Sequence, residues 1–363
     1  MPELPEVEAA RCLLDKHCAG KLITTAVTTE AGGHARDGEF DDIVFDDSGM
    51  TAAAASKALE GKTLLAVRRR GKQLWLELSS PPHLLAHFGM TGAFVVQGIR
   101  PLEYQEFTVH DEIWPPRFTK LELIFGSTRL AFCDPRRLGR LRLRGKPEQE
   151  DPWRSLAPDP LLEPISVARA QEVFSGKKKP IKALLLEQSA LVSGIGNWMA
   201  DEILFQAGVH PEAMCSTLSD DQTKHIHKAM LHVVQTAVGA LADSSRFPSD
   251  WLFHYRWGKG KSGGKVPGPR GGPITFVTVG GRTSAVVANR QRKGERATAP
   301  GKSQAAKEVG PDESSTASIM DAASKRGKKR RSDRDSNRVP ASEAPEPAAK
   351  REATRSSKRT RQK

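Results

Sequence analysis

The chain opens MPELPEVEAA, which sets two prolines and two carboxyl groups, Pro2, Glu3, Pro5 and Glu6, within its first six residues. A proline exposed by removal of Met1 carries a secondary amine whose pKa lies far below that of a lysine side chain, so part of it is unprotonated near neutral pH. Attack by that nitrogen on an aldehyde-like carbon forms an iminium ion, an electron sink of the kind that lysine Schiff bases provide. A neighbouring carboxyl group such as Glu3 can deliver a proton to a sugar oxygen as the ring opens. The same residues also suit a helix start, with a proline in the first turn and acids at the positive end of the dipole. Both readings stand at this level.

Whatever holds Pro2 and Glu3 must begin with the residues that follow. Val7 to Ala19 is expected as a helix stopped by Gly20, with Val7, Ala10, Leu13, Leu14 and His17 on one face. Short alternating runs come next: KQLWLEL, where Leu74, Leu76 and Leu78 share a face, then AFVVQ, LELIF and RLAFC. Residues 2–145 therefore read as a mainly antiparallel β domain with the first helix attached. From Pro152 the period becomes helical, and residues 152–245 read as a helical domain. There IKALLLEQ precedes the turn ALVSGIGN, and NWMADEILFQAG ends on a capping glycine, Gly208. Ser219 and Gln222 form a capping box for a helix that buries Ile226, Met230, Val233, Ala237 and Leu241. Within 246–289, ITFVTV and RTSAVVA flank Gly280-Gly281 and predict a tight hairpin. Residues 290–363 lack aromatics, are rich in Lys, Arg, Ser, Ala, Glu and Pro, and read as a disordered basic tail.

The 363 residues carry a formal net charge of +13, which favours a polyanionic partner, nucleic acid first. Cys12, Cys18, Cys133 and Cys215 include no CxxC pair, so neither a disulfide framework nor a zinc knuckle is indicated, and they fit a reducing compartment. No apolar run approaches the roughly 18 residues that span a bilayer. The acidic N-terminus lacks the layout of a secretory signal, so a soluble intracellular protein is expected. The run KRGKKRR, Lys325 to Arg331, has the composition of a nuclear-localisation or nucleic-acid-binding segment.

If the polyanionic partner is a duplex and the aldehyde-like carbon belongs to one of its nucleosides, the base must leave the stack. A flexible apolar side chain in a tight glycine loop fills the gap; Met90 in HFGMTG has that form, although methionine is also an ordinary core filler. GIGN opens a helix whose first N–H groups offer a phosphate site, to which Asn197 can add its side-chain amide. The preceding Lys177 to Lys179, with Lys179 nearest the helix, would add salt-sensitive backbone contacts.

MPELPEVE, RRRGKQLWLEL, HFGMTG, DPRRLGR, SGIGNWMADEIL and GGRTSAV, in that order from Met1 to about Val287, together resemble the Fpg/Nei family of formamidopyrimidine-DNA glycosylases. The resemblance implies an α+β fold. An N-terminal antiparallel β-sandwich with its own helix would be followed by a helix-two-turn-helix domain and a β-hairpin finger. It implies a bifunctional glycosylase and lyase acting on damaged double-stranded DNA, with strand cleavage by β,δ-elimination. On this reading Pro2 is the nucleophile and Glu3 the acid in ring opening and base loss. Lys72, entering a strand, assists in the site and touches phosphate. The tip arginine Arg282 grips phosphates flanking the lesion and helps elimination. Arg136 and Leu138 fall where the family carries an arginine and an aromatic residue; leucine fills the gap but loses stacking. Arg117 stands where bacterial relatives carry a DNA-contacting histidine.

No cysteine follows Cys215, so a Cys-rich structural zinc is ruled out, and the hairpin resembles the zincless finger of the plant and fungal branch. Neither metal nor cofactor is expected. Ser244 to Gly272 differs from the bacterial loop that covers a flipped 8-oxoguanine. Formamidopyrimidines, further-oxidised guanines and abasic sites are therefore the expected substrates, with 8-oxoguanine left open. A cleaved targeting peptide would delete Pro2, so the basic run points to the nucleus; a monomer is the default. The alternative is a non-enzymatic damaged-DNA-binding protein on the same scaffold.

Overall fold

The computed structural model describes residues 2–102, 108–109, 112–259, 266–269 and 272–293. One compact unit spans Met1–Gly301; a second, Lys302–Lys363, lies outside the described residues, and with it the basic run Lys325 to Arg331.

Helix α1 (Leu4–Cys18) starts three residues before the expected Val7. Glu3 is its extended N-cap, Pro5 sits in the first turn, and the Glu6 carboxylate accepts the Glu3 N–H at 3.0 Å. This reciprocal cap, rather than the apolar period, sets the start. Beyond it come β1 (Thr25–Val27), α2 (Ala52–Leu59), β2 (Leu64–Arg70), β3 (Gln73–Leu78), β4 (His83–His87), β5 (Ala93–Val96), β6 (Thr119–Phe125), β7 (Thr128–Cys133) and β8 (Arg140–Arg144). They form two four-stranded antiparallel sheets in the orders β1-β6-β7-β5 and β2-β3-β4-β8.

The inner faces meet in one core. Leu74, Leu76, Leu84 and Ala86 come from one sheet and Phe94, Leu121, Leu123 and Phe132 from the other, joined by Val7, Ala10 and Leu14 of α1. Each leucine or phenylalanine so buried stabilises by roughly 1.5–3 kcal/mol. The leucines of β3 cover only one of its buried faces. On the other, Trp75 packs edge-on against Trp153 with ring centroids 5.6 Å apart.

A second core gathers α3 (Val167–Ser175), α4 (Ile181–Leu185), α5 (Asn197–Ala207) and α6 (Asp220–Gly239), and Leu4 of α1 belongs to it. Gly208 ends α5 in the left-handed region at φ 71°, and the Ser219–Gln222 capping box opens α6. Ile226, Met230, Val233 and Ala237 are buried as expected. Leu241 is not: it lies beyond the helix, at φ 52°, and is 51% exposed. The chain has already turned away from the helical face there. The last sheet is β11-β10-β9, made of β9 (Val266–Pro267), β10 (Pro273–Val279) and β11 (Arg282–Val287). Gly280 and Gly281, at φ 58° and 72°, supply the turn that the hairpin needs. Phe205 of α5 packs with Leu252, Ile274, Ala285 and Val287, which seats the hairpin on that helix.

Candidate active site

The start of α1 is stitched to the start of α5. Glu3 is only 2% exposed, and its carboxylate accepts two backbone N–H groups of the first turn of α5, Trp198 to Oε1 at 2.9 Å and Met199 to Oε2 at 3.1 Å. Leu4 N–H donates to the Gly194 carbonyl at 3.1 Å. Glycine is required at position 196, because a Cβ there would stand 2.2 Å from the Glu3 carboxyl carbon. A carboxylate on helix N–H groups is a charge-assisted arrangement. It also corrects an expectation: the Trp198 and Met199 N–H groups, read as a phosphate site, are taken by Glu3. Asn197, the first residue of α5, is half-buried, and its Oδ1 is buried without a hydrogen-bond partner.

Lys72 reaches the same place from the β2–β3 turn. It is 9% exposed, and its Nζ donates to the Ile195 carbonyl at 3.0 Å. Gln188 braces that loop, donating to Ile195 and Leu186 carbonyls and accepting the Gly194 N–H at 2.9 Å. The turn itself is clamped. Asp159 accepts the Gly71 N–H at 2.7 Å and pairs with buried Arg69, which also donates to the Gly71 carbonyl at 3.1 Å and to Glu8 at 2.7 Å.

Burial dominates the electrostatics. It pushes the Glu3 carboxyl up from its ordinary value, opposed by the Lys72 charge and by the two N–H bonds. Glu6 is raised to about 7 by burial and by the neighbouring Glu3 charge. Burial lowers the Lys72 ammonium, Glu3 and Glu6 raise it, and Arg282 lowers it further. Pro2, next to Glu3, is buried as well. Glu6 accepts the Trp198 indole N–H at 3.1 Å and lines a cavity of about 430 Å³ whose walls include Ala9, Arg100, Leu102, Leu241 and Arg246. That volume falls in the range of small-molecule sites.

A separate group forms around Asp134. Its carboxylate accepts Thr91 Oγ1–H at 2.8 Å, Arg136 N–H at 3.3 Å and Gly139 N–H at 2.6 Å, which ties the Met90 loop to the Arg136–Leu138 loop. Met90 is half-exposed, Arg136 exposed and Leu138 40% exposed. Arg282 is exposed at the start of β11. Arg117 is exposed over the Phe118 ring, and Lys179 is paired with Glu187. Among the described residues, no hydrogen bond or ion pair joins either of them to Glu3 or Lys72.

The sequence named Glu6 without a role in the site and gave no sign of Asp134, Asp159 or Gln188. For Glu6 a signal existed, since an acid three residues after Glu3 is the spacing of a reciprocal cap. The other three also reach partners farther along the chain, Gly194, Thr91 and Arg69 at 6, 43 and 90 residues, for which local spacing carries no signal. Among the described residues no group of His, Cys, Asp and Glu is arranged to hold a metal ion.

Comparison with known proteins bears on the family and the fold. Family models describing the formamidopyrimidine-DNA glycosylase N-terminal domain and H2TH domain match residues 1–141 and 156–249. A formamidopyrimidine-DNA glycosylase from Arabidopsis thaliana is 41% identical over 302 residues, covering 80% of this chain and 71% of the relative. The Lactococcus lactis formamidopyrimidine-DNA glycosylase bound non-covalently to DNA containing an AP site superposes with a TM-score of 0.60 at 26% identity, over 80% of this chain and all of that one. A Lactococcus lactis variant bound to DNA containing Fapy-dG superposes with a TM-score of 0.62, also at 26% identity and over the same shares. With both domains matched and the Glu3–Lys72 site built across their junction, this chain belongs to the formamidopyrimidine-DNA glycosylase family.

Proposed function

We propose that this chain excises oxidised purines from duplex DNA and then cleaves the strand through an iminium formed on Pro2. The observation that carries the reading is the seating of the Glu3 carboxyl on α5, next in sequence to Pro2 and within the field of Lys72. Once Met1 is removed, the Pro2 nitrogen attacks C1′ of the damaged nucleotide as the glycosidic bond breaks, and the proton that this nitrogen loses leaves with the departing base. Glu3 gives its proton to O4′ as the ring opens, leaving an iminium between Pro2 and C1′. Loss of a C2′ proton then expels the 3′-phosphate, and loss of a C4′ proton expels the 5′-phosphate. Burial raises the Glu3 carboxyl and so favours its protonated form, and the two N–H groups with Lys72 stabilise the carboxylate that remains after the transfer.

The extruded base enters the cavity walled by Glu6. A carboxyl titrating near 7 can donate to one edge of a purine or accept from it, which suits formamidopyrimidines and further-oxidised guanines. Met90, Arg136 and Leu138 fill the gap left in the stack; leucine does so without an aromatic face toward the opposite base. Arg117, Lys179, Asn197 and Arg282 contact phosphates. The chain acts as a monomer, and the run Lys325 to Arg331 directs it to the nucleus.

Blocking the terminus tests the reading. Protein that retains Met1, or carries an N-terminal tag, is expected to bind a duplex with an abasic-site analogue while failing to cleave a true abasic site. Cleavage at the rate of the unblocked protein would remove Pro2 from the mechanism. Binding without cleavage by the unblocked protein would leave only a damage-binding role.

A further inference from the structure

A buried ion cluster joins the hairpin to α5, one turn beyond the residues that hold Glu3. Asp201 is 1% exposed, and Lys182 has no exposed surface. The Asp201 carboxylate takes Lys182 Nζ at 2.6 Å on Oδ1, and on Oδ2 the Arg256 guanidinium at 2.9 Å and the Ala285 N–H at 3.2 Å. Lys182 Nζ also donates to the Thr283 carbonyl at 3.0 Å. Thr283 follows Arg282 directly, so two backbone groups of β11 within three residues of that arginine are bonded to side chains on α4 and α5. Lys259 adds an exposed bond to the Thr283 hydroxyl at 3.1 Å.

An exposed hairpin tip has no register of its own against the rest of the site. What fixes where the Arg282 side chain leaves the backbone is this cluster together with the apolar contacts of Phe205, Ala285 and Val287. The apolar contacts resist separation but slide easily, whereas hydrogen bonds to a single carbonyl and a single N–H do not. We propose that Asp201 is the positioning residue of Arg282: by holding Lys182, Arg256 and the β11 backbone together, it registers the arginine against the Glu3–Lys72 site along α5. This rests on the reading above that Arg282 assists elimination.

The test is a double-mutant cycle in the full-length protein, read as the single-turnover elimination rate on a duplex with a preformed abasic site. Asp201→Asn keeps the size and removes the charge. It is expected to slow elimination by about 10-fold to 100-fold, the scale of a small misplacement of a contacting group. In an Arg282→Ala background the same change is expected to cost nothing further, because the residue through which it acts is gone. Equal slowing in both backgrounds would overturn the inference and shift the effect to another route, such as the charge that Arg256 and Lys182 present to Glu3. If Arg282→Ala alone leaves the rate unchanged, the assignment of Arg282 to elimination fails and the inference falls with it; the two failures are thus distinguishable. Should Asp201→Asn not fold, Arg256→Lys, which keeps the charge but loses the fork geometry, carries the same cycle and is judged by the same masking.

Discussion

The Glu3 carboxylate and the Trp198 backbone N–H lie 2.9 Å apart across 195 residues of chain, and that bond makes the first residues of α1 part of the first turn of α5. The catalytic assignment depends on this joint: the dipole of α5 and the Met199 N–H stabilise the Glu3 charge, while burial opposes it.

Glu3→Gln separates the two halves of the reaction. The amide cannot supply a proton to the opening sugar, so excision of a formamidopyrimidine is expected to fall by about 10²–10⁴-fold. Elimination at a preformed abasic site, which starts from an open sugar, should survive to a far greater extent. Single-turnover rates on the two substrates check this, and equal losses on both would assign Glu3 a different role.

Asp159→Ala tests the clamp behind Lys72. Arg69 would be left buried with half its pairing lost, and the Gly71 turn without its anchor. Removing one partner of a buried ion pair costs about 3–5 kcal/mol, so urea unfolding should show a loss of that order. A loss below about 1 kcal/mol, the scale of an exposed pair, would mean that the clamp does not hold the turn.

Glu202 gives a pH signature. It lies buried in α5, accepting the Phe253 N–H at 2.9 Å and the Gln206 amide at 2.8 Å, and burial raises it from 4.5 to about 7. An acid with a raised folded pKa contributes its full stability below the unfolded value and loses it as pH rises through the folded one. Between about pH 5 and 8 the protein should therefore lose up to about 3 kcal/mol from this group. Glu202→Gln is expected to gain stability relative to the unchanged protein over that interval, measured by denaturant unfolding at each pH. A constant difference would show that Glu202 does not titrate there.

The parts of the fold carried by local pattern were legible in the sequence. Gly208, the Ser219–Gln222 cap and the Gly280-Gly281 turn each act within a few residues, and each stands where its chemistry puts it. Strands β2 and β8 were hidden because their residues are heavily basic; LLAVRRR and RLRLR do not read as core. Arg69 is nevertheless buried on Glu8 and Asp159, while Arg142 and Arg144 are paired with Asp46 and Asp47. Only the partners, distant in the chain, make those strands possible. The site follows the same division. Pro2, Glu3 and Lys72 stand out by type and motif, but the groups that fix them, Trp198 N–H, Gln188 and Asp159, were visible only once the two cores had formed.

The most direct test is borohydride trapping on a duplex carrying an oxidised guanine or an abasic site, followed by mass mapping of the cross-linked peptide. Reduction converts an iminium into a stable bond at the atom that formed it. The account predicts a single cross-link at the Pro2 nitrogen of protein lacking Met1. A cross-link at Lys72 or another lysine, or none while DNA is bound and a control lyase traps normally, would contradict it.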